Sequence, residues 1–405
     1  MELETIQITL PSSKSLSNRW LMLDYMSRTG IKIKNISTSN DTQQLARLLH
    51  QLKGSRRHNF DCRDAATVAR FMLALLAITP GTHTLTGSEQ LCRRPMGKMI
   101  DALRAAGCSI TCTGEEGFLP VKIEGSIPTS QRIVIDCSIS SQFASALLLA
   151  SATMPQGGMV ELVGTPVSEP YIDMTLKVME QAKVQWCLKG NPPTYNVEHS
   201  IPQCDVVSIE KDWSSASYFF EAVSLLPGVP VRLPGLARES LQGDRVVRDI
   251  YSKLGVTVNQ GEQSVELKRE KGLLSSFEWD FTGTPDLVPA VAVTCAALGI
   301  SARLTGVGTL RFKESDRLAS ISSNLKALGR EVVVEDDVLV IPAGEPFTKE
   351  SLASAAEIDS FDDHRIAMAF GVLRVINPDL KVSNPDVVAK SFPDFWKMLD
   401  RMFLQ

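Results

Sequence analysis

Two apolar patterns alternate along the chain. In the first, apolar residues recur at i, i+3, i+4 and i+7, as in Leu45/Leu48/Leu49/Leu52, Met96/Met99/Ile100/Leu103, Val247/Ile250/Tyr251/Leu254 and Phe392/Phe395/Trp396/Leu399. That spacing lines one face of a helix and predicts that this face is buried. In the second, a polar start runs into a segment that is apolar nearly all round. Its six examples are "SKSLSNRWLMLDYM", "DAATVARFMLALLA", "SISSQFASALLLASATM", "DWSSASYFFEAVSLL", "TPDLVPAVAVTCAALG" and "DDHRIAMAFGVLRV". A helix without a polar face belongs inside a core. Each segment opens on Ser, Asp or Thr, whose side-chain oxygens accept the free N–H groups of a first helical turn.

The amphipathic helices belong to a repeat. "TLTGSEQLCRRPMGKMIDALRAAGCSI", "VELVGTPVSEPYIDMTLKVMEQAKVQ", "VRLPGLARESLQGDRVVRDIYSKLGVTV" and "RLTGVGTLRFKESDRLASISSNLKALGREV" each read as strand, glycine, polar loop, amphipathic helix, strand. Weaker copies start at Asn35 and Asn384, and an all-apolar helix precedes each copy. The chain is therefore an α/β protein of about six βαβαββ-like units, spaced by roughly 50 to 80 residues. Short strand pairs around "EGFLPVKIEG" and "EDDVLVIP" fit the trailing hairpin of a unit. Six units suggest two domains of three, which suits 405 residues.

Composition narrows the functional classes. With 44% hydrophobic and 22% charged residues the chain is an ordinary globular protein. A net charge of -4 gives no bulk attraction to nucleic acid or to an anionic membrane, and neither partner is expected. The acidic, strand-like "MELETIQITL" fits neither a secretory signal nor a transit peptide. The eight cysteines show no CxxC and no zinc-type spacing, so reduced thiols and a cytoplasmic protein without metal are expected.

Unusual polar residues gather at the helix starts. Lys14, Ser15 and Arg19 lead one all-apolar helix, Asp64, Ala66 and Arg70 the next, then Ser140, Ser141 and Gln142, and finally Asp363, His364 and Arg365. Arg94, Ser168, Lys313, Glu314, Arg317 and Lys390 lead amphipathic ones. Serine and aspartate there read as ordinary caps. Arginine and lysine in a first turn oppose the helix dipole at a cost of some tenths of a kcal/mol, so their repetition argues for a bound anion. Glu314 beside Lys313, and Asp286 in "GTPDLVPAVAV", read either as a solvated charge and a cap or as acid–base groups tuned by their neighbours. There is no GxxxxGK[ST], no GxGxxG after a strand and no GxSxG. The pattern asks for a substrate with several negative charges, held by Arg and Lys without metal or nucleotide.

In order along nearly the whole chain, "LPSSKSLSNR", "DAATVARF", "LCRRPMGKMIDALR", "SISSQFASALLL", "VSEPYIDMTL", "DWSSASYFF", "ESLQGD", "TPDLVPA", "LRFKESDRL", "DDHRIAM" and "AKSFPDFW" resemble the 5-enolpyruvylshikimate-3-phosphate synthases, a family of enolpyruvyl transferases. The resemblance implies two domains of three βαβαββ units, an inside-out α/β barrel arrangement, closing on substrates in a cleft. Residues 13–212 would form one domain, mainly on the shikimate 3-phosphate side, and residues 1–12 with 213–405 the other. It implies transfer of the enolpyruvyl group of phosphoenolpyruvate to the 5-hydroxyl of shikimate 3-phosphate, with release of phosphate, by a cofactor-free monomer. By motif, Ser15, Arg19, Ser140, Ser141, Ser168, Thr309 and Lys313 would hold shikimate 3-phosphate, and Lys14 and Gln142 would touch both substrates. Arg94, Arg317, Arg365 and Lys390 would grip phosphoenolpyruvate beside Asp64 and Ala66. Asp286 would take the hydroxyl proton and Glu314 would be the acid toward the methylene carbon, with Lys14 and Lys313 in the catalytic set.

Three positions depart from the family pattern. Asp64 and Ala66 stand in "RDAATVAR" where "GNAGTAMR" is frequent, and Thr309 stands where an Asn often helps bind shikimate 3-phosphate. The added methyl of Ala66 would crowd the phosphoenolpyruvate site and weaken inhibition by glyphosate. Two other readings share the fold: the sister transferase acting on UDP-N-acetylglucosamine, to which Cys92 before Arg94-Pro95 is the one link, and a non-catalytic anion-binding homologue.

Overall fold

The computed structural model describes residues 4–27, 29–54, 57–165, 167–270, 272, 274–353 and 357–403. Its recurring element is a four-stranded sheet whose first two strands run parallel and whose trailing hairpin pairs antiparallel. Arg57–Asp61 lies parallel to Gly81–Thr86, followed by Val121–Gly125 and Ser109–Cys112. The same order links Arg132–Asp136, Gly158–Val163, Thr194–Val197 and Trp186–Lys189. It recurs in Ser276–Asp280, Ser301–Thr305, Val338–Ile341 and Val333–Val334. Parallel neighbours need a long crossover, and the all-apolar helices supply it. Ala66–Ile78 is buried at all but one residue and Val288–Leu298 at every residue.

The chain divides into two compact units, Lys14–Ile209 and Met1–Ser13 with Glu210–Gln405. Each borrows a strand from far away in sequence. Ile6–Gln7 pairs parallel with Val231–Pro234 and heads the sheet that continues to Ser264–Arg269 and Val256–Gln260. Val206–Ser208 pairs parallel with Lys32–Lys34. Where the chain passes between units, Ser13 N–H donates to the Glu210 carbonyl (2.8 Å), Asp212 N–H to the Pro11 carbonyl (3.0 Å), and the Lys211 ammonium to the Leu10 carbonyl (2.8 Å).

The two weaker repeats are reduced. Among the described residues the first keeps only its parallel strand pair and lacks the hairpin, because Asn40–Leu52 is followed almost at once by Arg57–Asp61. The last keeps a single bridge between Ile358 and Val382, in a stretch where Pro378 and Pro385 cannot donate to a ladder. The six complete units expected from the sequence are thus four complete and two partial.

One core residue breaks the pattern. Glu221 lies inside the Trp213–Leu225 helix with no exposure, and neither carboxyl oxygen has a hydrogen-bond partner among the described residues. Burial pushes its pKa well above the ordinary carboxyl value, so it sits in the core as the neutral acid.

Candidate active site

In the Lys14–Ile209 unit the candidate residues cluster at helix starts. Lys14 opens Lys14–Met26, and its ammonium meets the buried Asp41 carboxylate at 3.1 Å. Asp41 lies in the first turn of Asn40–Leu52, where a carboxylate also complements the helix dipole. Ser15 is half-buried and gives its carbonyl to Arg19 Nη1 (3.0 Å). Arg19 lies a turn further in and is 2% exposed. Its other donors reach Thr175 Oγ1 (2.8 Å), Ser145 Oγ (3.1 Å) and the Tyr171 carbonyl (2.9 Å). These acceptors are all neutral, and burial lowers the guanidinium pKa to about 10. Such a site favours an added anion.

Ser140 caps Ser141–Ser151 by accepting the Gln142 N–H (3.3 Å), and Ser141 is buried beside it. Ser168 precedes Glu169–Gln181 in the left-handed region, φ 55°, and its hydroxyl does not cap the helix. A non-glycine residue held there is strained, and the Ser168 carbonyl, not its hydroxyl, takes the Tyr171 N–H (3.0 Å).

Ala66 is the buried first residue of Ala66–Ile78. The Ser88 hydroxyl donates to the Asp64 carboxylate and accepts the Leu91 N–H (3.3 Å), capping Glu89–Cys92, after which comes the buried Arg94. The Asp64 and Arg94 loops are held close enough that a Cβ on Gly87 would stand 2.6 Å from the Arg63 carbonyl oxygen. Only glycine fits there.

In the other unit the charges converge on one guanidinium. Arg317, first residue of Arg317–Ala327, is 1% exposed. It donates to Asp363 through Nε (2.7 Å) and Nη2 (3.2 Å), to Glu314 Oε2 (2.7 Å) and to Asp286 Oδ1 (3.0 Å). Asp286 sits in the Pro285–Leu287 turn ahead of Val288–Leu298. It also receives Arg365 Nη2 (2.7 Å) and the Lys313 ammonium (3.3 Å). Burial alone would raise the Asp286 pKa, but Arg365, Lys313 and Arg317 outweigh it and hold the carboxylate well below its ordinary range. Asp286 is therefore an ionised carboxylate ringed by three cations. Asp363 caps His364–Gly371 through the Arg365 N–H (2.9 Å), and the buried His364 ring lies 3.6 Å from Asp363. Thr309 is half-buried in the Gly308–Phe312 turn that leads to Lys313, and Lys390 is a buried cation ending the Pro385–Lys390 turn.

Three further acids join these networks that were not among the site residues expected from the sequence, Asp363 having been named there only as a polar residue at a helix start. Asp41 and Asp363 look like ordinary first-turn and capping acids. Asp244, in "ESLQGD", is 2% exposed; it accepts from the Ser214 hydroxyl, while burial, with repulsion from Asp286, raises its pKa to about 6. A motif whose acid had no assigned task was the one available signal.

This geometry has relatives. Residues 54–399 match the model of the family described as EPSP synthase (3-phosphoshikimate 1-carboxyvinyltransferase). The chain belongs to the EPSP synthase family. A 3-phosphoshikimate 1-carboxyvinyltransferase of Bacteroides fragilis is 34% identical over 391 residues, 96% of this chain and 93% of that protein. One of Neisseria meningitidis serogroup B is 32% identical over 423 residues, covering 98% and 95%. The fold is that of EPSP synthase from Acinetobacter baumannii, with TM-score 0.75 and 21% identity over 99% of this chain and 96% of that one. The enolpyruvyl transferase NikO from Streptomyces tendae shares it, with TM-score 0.70, 16% identity and coverage of 99% and 95%. Within the EPSP synthase family the α/β class expected from the repeat and the enolpyruvyl transferase-like fold implied by the resemblance both hold, and the UDP-N-acetylglucosamine reading is not favoured.

Proposed function

We infer that the chain transfers the enolpyruvyl group of phosphoenolpyruvate to the 5-hydroxyl of shikimate 3-phosphate and releases phosphate. One observation carries the chemistry: Asp286 and Glu314 are hydrogen-bonded to the same buried guanidinium, that of Arg317. Two carboxyl groups set around one cation can move a proton from the hydroxyl and supply one to the methylene carbon. The hydroxyl oxygen bonds to the central carbon of phosphoenolpyruvate as the methylene carbon takes up a proton and becomes a methyl group, and loss of phosphate and of one methyl proton then forms the enol ether.

The remaining residues divide by charge. Arg94, Arg317, Arg365 and Lys390, with Asp64 and Ala66, bind phosphoenolpyruvate, whose carboxylate and phosphate suit forked guanidinium donors. Ser15, Arg19, Ser140, Ser141, Ser168, Thr309 and Lys313 bind shikimate 3-phosphate, while Lys14 and Gln142 serve both. Residues 13–212 then carry most of the shikimate 3-phosphate contacts. An anion taking donors from Arg365 and Lys313 withdraws them from Asp286, which makes that carboxylate more basic when substrate is present. The protein works as a cytoplasmic monomer without nucleic-acid or membrane partners. Phosphate release on mixing shikimate 3-phosphate with phosphoenolpyruvate tests the reading; no release from folded protein overturns it.

A further inference from the structure

We infer that Arg70 is a positioning residue that fixes the orientation of the Gln142 amide, so that its NH2 end rather than its carbonyl is offered to substrate. The inference rests on the reading that Gln142 touches substrate.

Arg70 lies one turn into Ala66–Ile78 and is 3% exposed. Residues four apart share a helix face, so Arg70 lies behind Ala66. Its Nη1 donates to Gln142 Oε1 at 2.5 Å, and its guanidinium carbon stands 5.2 Å from the centre of the Phe143 ring. The neighbouring aromatic face therefore holds the guanidinium in plane, while Ser140 holds the Gln142 backbone through its N–H. What remains free at Gln142 is the sense of the amide.

A glutamine amide accepts at one end and donates at the other, and a guanidinium only donates. Turned over, the amide would set its NH2 against the Arg70 N–H groups. With Oε1 fixed on a cation, Nε2 points away from Arg70, and it donates to no atom among the described residues. A charge-assisted hydrogen bond is about twice as strong as a neutral one. By polarising the amide it also strengthens the NH2 as a donor. An anionic substrate needs such a donor, and a carbonyl in its place would repel it.

A double-mutant cycle in the phosphate-release assay tests this. Gln142→Ala is expected to lower kcat/KM for phosphoenolpyruvate by about 10- to 100-fold, the range of a lost hydrogen bond to charge. Arg70→Met is expected to lower it by a similar factor. The double variant is expected to be no worse than Gln142→Ala alone to within about threefold, because Arg70 acts through an amide no longer there. Losses that multiply overturn the positioning role. An undiminished Gln142→Ala variant instead overturns the placement of Gln142 on substrate. Should Arg70→Met not fold, two milder variants decide. Arg70→Lys keeps a cation and is expected to retain more activity than any neutral replacement that folds. Gln142→Glu pairs with Arg70 and is expected to match the wild-type melting temperature while losing at least about tenfold in kcat/KM, since its NH2 is gone. Full activity in Gln142→Glu overturns the inference.

Discussion

Arg317 and Asp363 meet through two parallel hydrogen bonds, 2.7 and 3.2 Å long, with 1% and 0% of the two side chains exposed. The same carboxylate accepts the Arg365 N–H at the start of His364–Gly371. Asp363 thus ties two of the three arginines proposed to grip phosphoenolpyruvate, Arg317 by its side chain and Arg365 by its backbone. Removing one partner of a buried pair costs about 3–5 kcal/mol. Asp363→Ala should approach that loss in denaturant unfolding, while Asp363→Asn, which keeps an oxygen for the cap, should lose on the order of 2 kcal/mol. Equal stability of both variants and the wild type would show that Arg317 is held by Asp286 and Glu314 alone.

Asp286→Asn and Glu314→Gln each preserve shape and remove one proton-transfer group. Each should lower kcat by about 10²- to 10⁴-fold, with equilibrium binding of shikimate 3-phosphate changed far less. A parallel loss of binding and turnover would make these carboxylates binding groups only.

The depressed pKa of Asp286 also fixes a pH dependence. A carboxylate held below its unfolded value, about 3.9, contributes stability above that value and loses it as the pH falls through the lower folded one. Between about pH 5 and 8 the free enzyme should therefore keep Asp286 ionised. The kcat/KM profile, which reports the free enzyme, should show no acid limb lost on Asp286→Asn; a limb near pH 6 that vanishes in this variant would refute the assignment.

Ala66 is buried at the start of Ala66–Ile78. If its methyl crowds the phosphoenolpyruvate site, Ala66→Gly should tighten inhibition by glyphosate at least about tenfold, the lower end of what one methylene group contributes in a fitted pocket. Unchanged inhibition constants would remove Ala66 from the site.

Glu221 makes the opposite pH prediction. Its folded pKa is raised, so the stability linked to its proton is full below the unfolded value, about 4.3, and is lost as the pH rises toward the folded one. The slope reaches at most about 1.4 kcal/mol per pH unit. Melting temperatures at pH 6 and pH 8.5 should differ less in Glu221→Gln than in the wild type. Equal differences would mean that Glu221 has a partner.

The helices were legible because their signals are local. Ser140, Asp212 and Asp363 cap as their residue types promise, and apolar periodicity marks the buried faces. Local signals also misled. Ser168 looks like one more cap but sits at φ 55° without capping, which follows from its surroundings and not from serine. The Arg19 side chain reads as a first-turn cation, yet it is buried among acceptors on helices more than a hundred residues away. Asp286 finds Arg365 across 79 residues, and Arg70 finds Gln142 across 72. Such pairings depend on how helices pack, and composition or period carries no trace of them. Glu221 stands openly in "SYFFEAV", but only packing shows that nothing meets it.

The borrowed strands bear on how the molecule is made. By the time Ser208 has left the ribosome, every strand of the Lys14–Ile209 unit exists. Ile6–Gln7, synthesised before all of them, has no neighbour until Val231 appears. At about 5–20 residues per second it waits roughly ten seconds or more. Birth order and folding order are therefore uncoupled for this strand: it is placed only after the ten described strands from Lys32–Lys34 to Val206–Ser208 have been made, and a nascent-chain pause between residues 14 and 230 would leave it unplaced for longer.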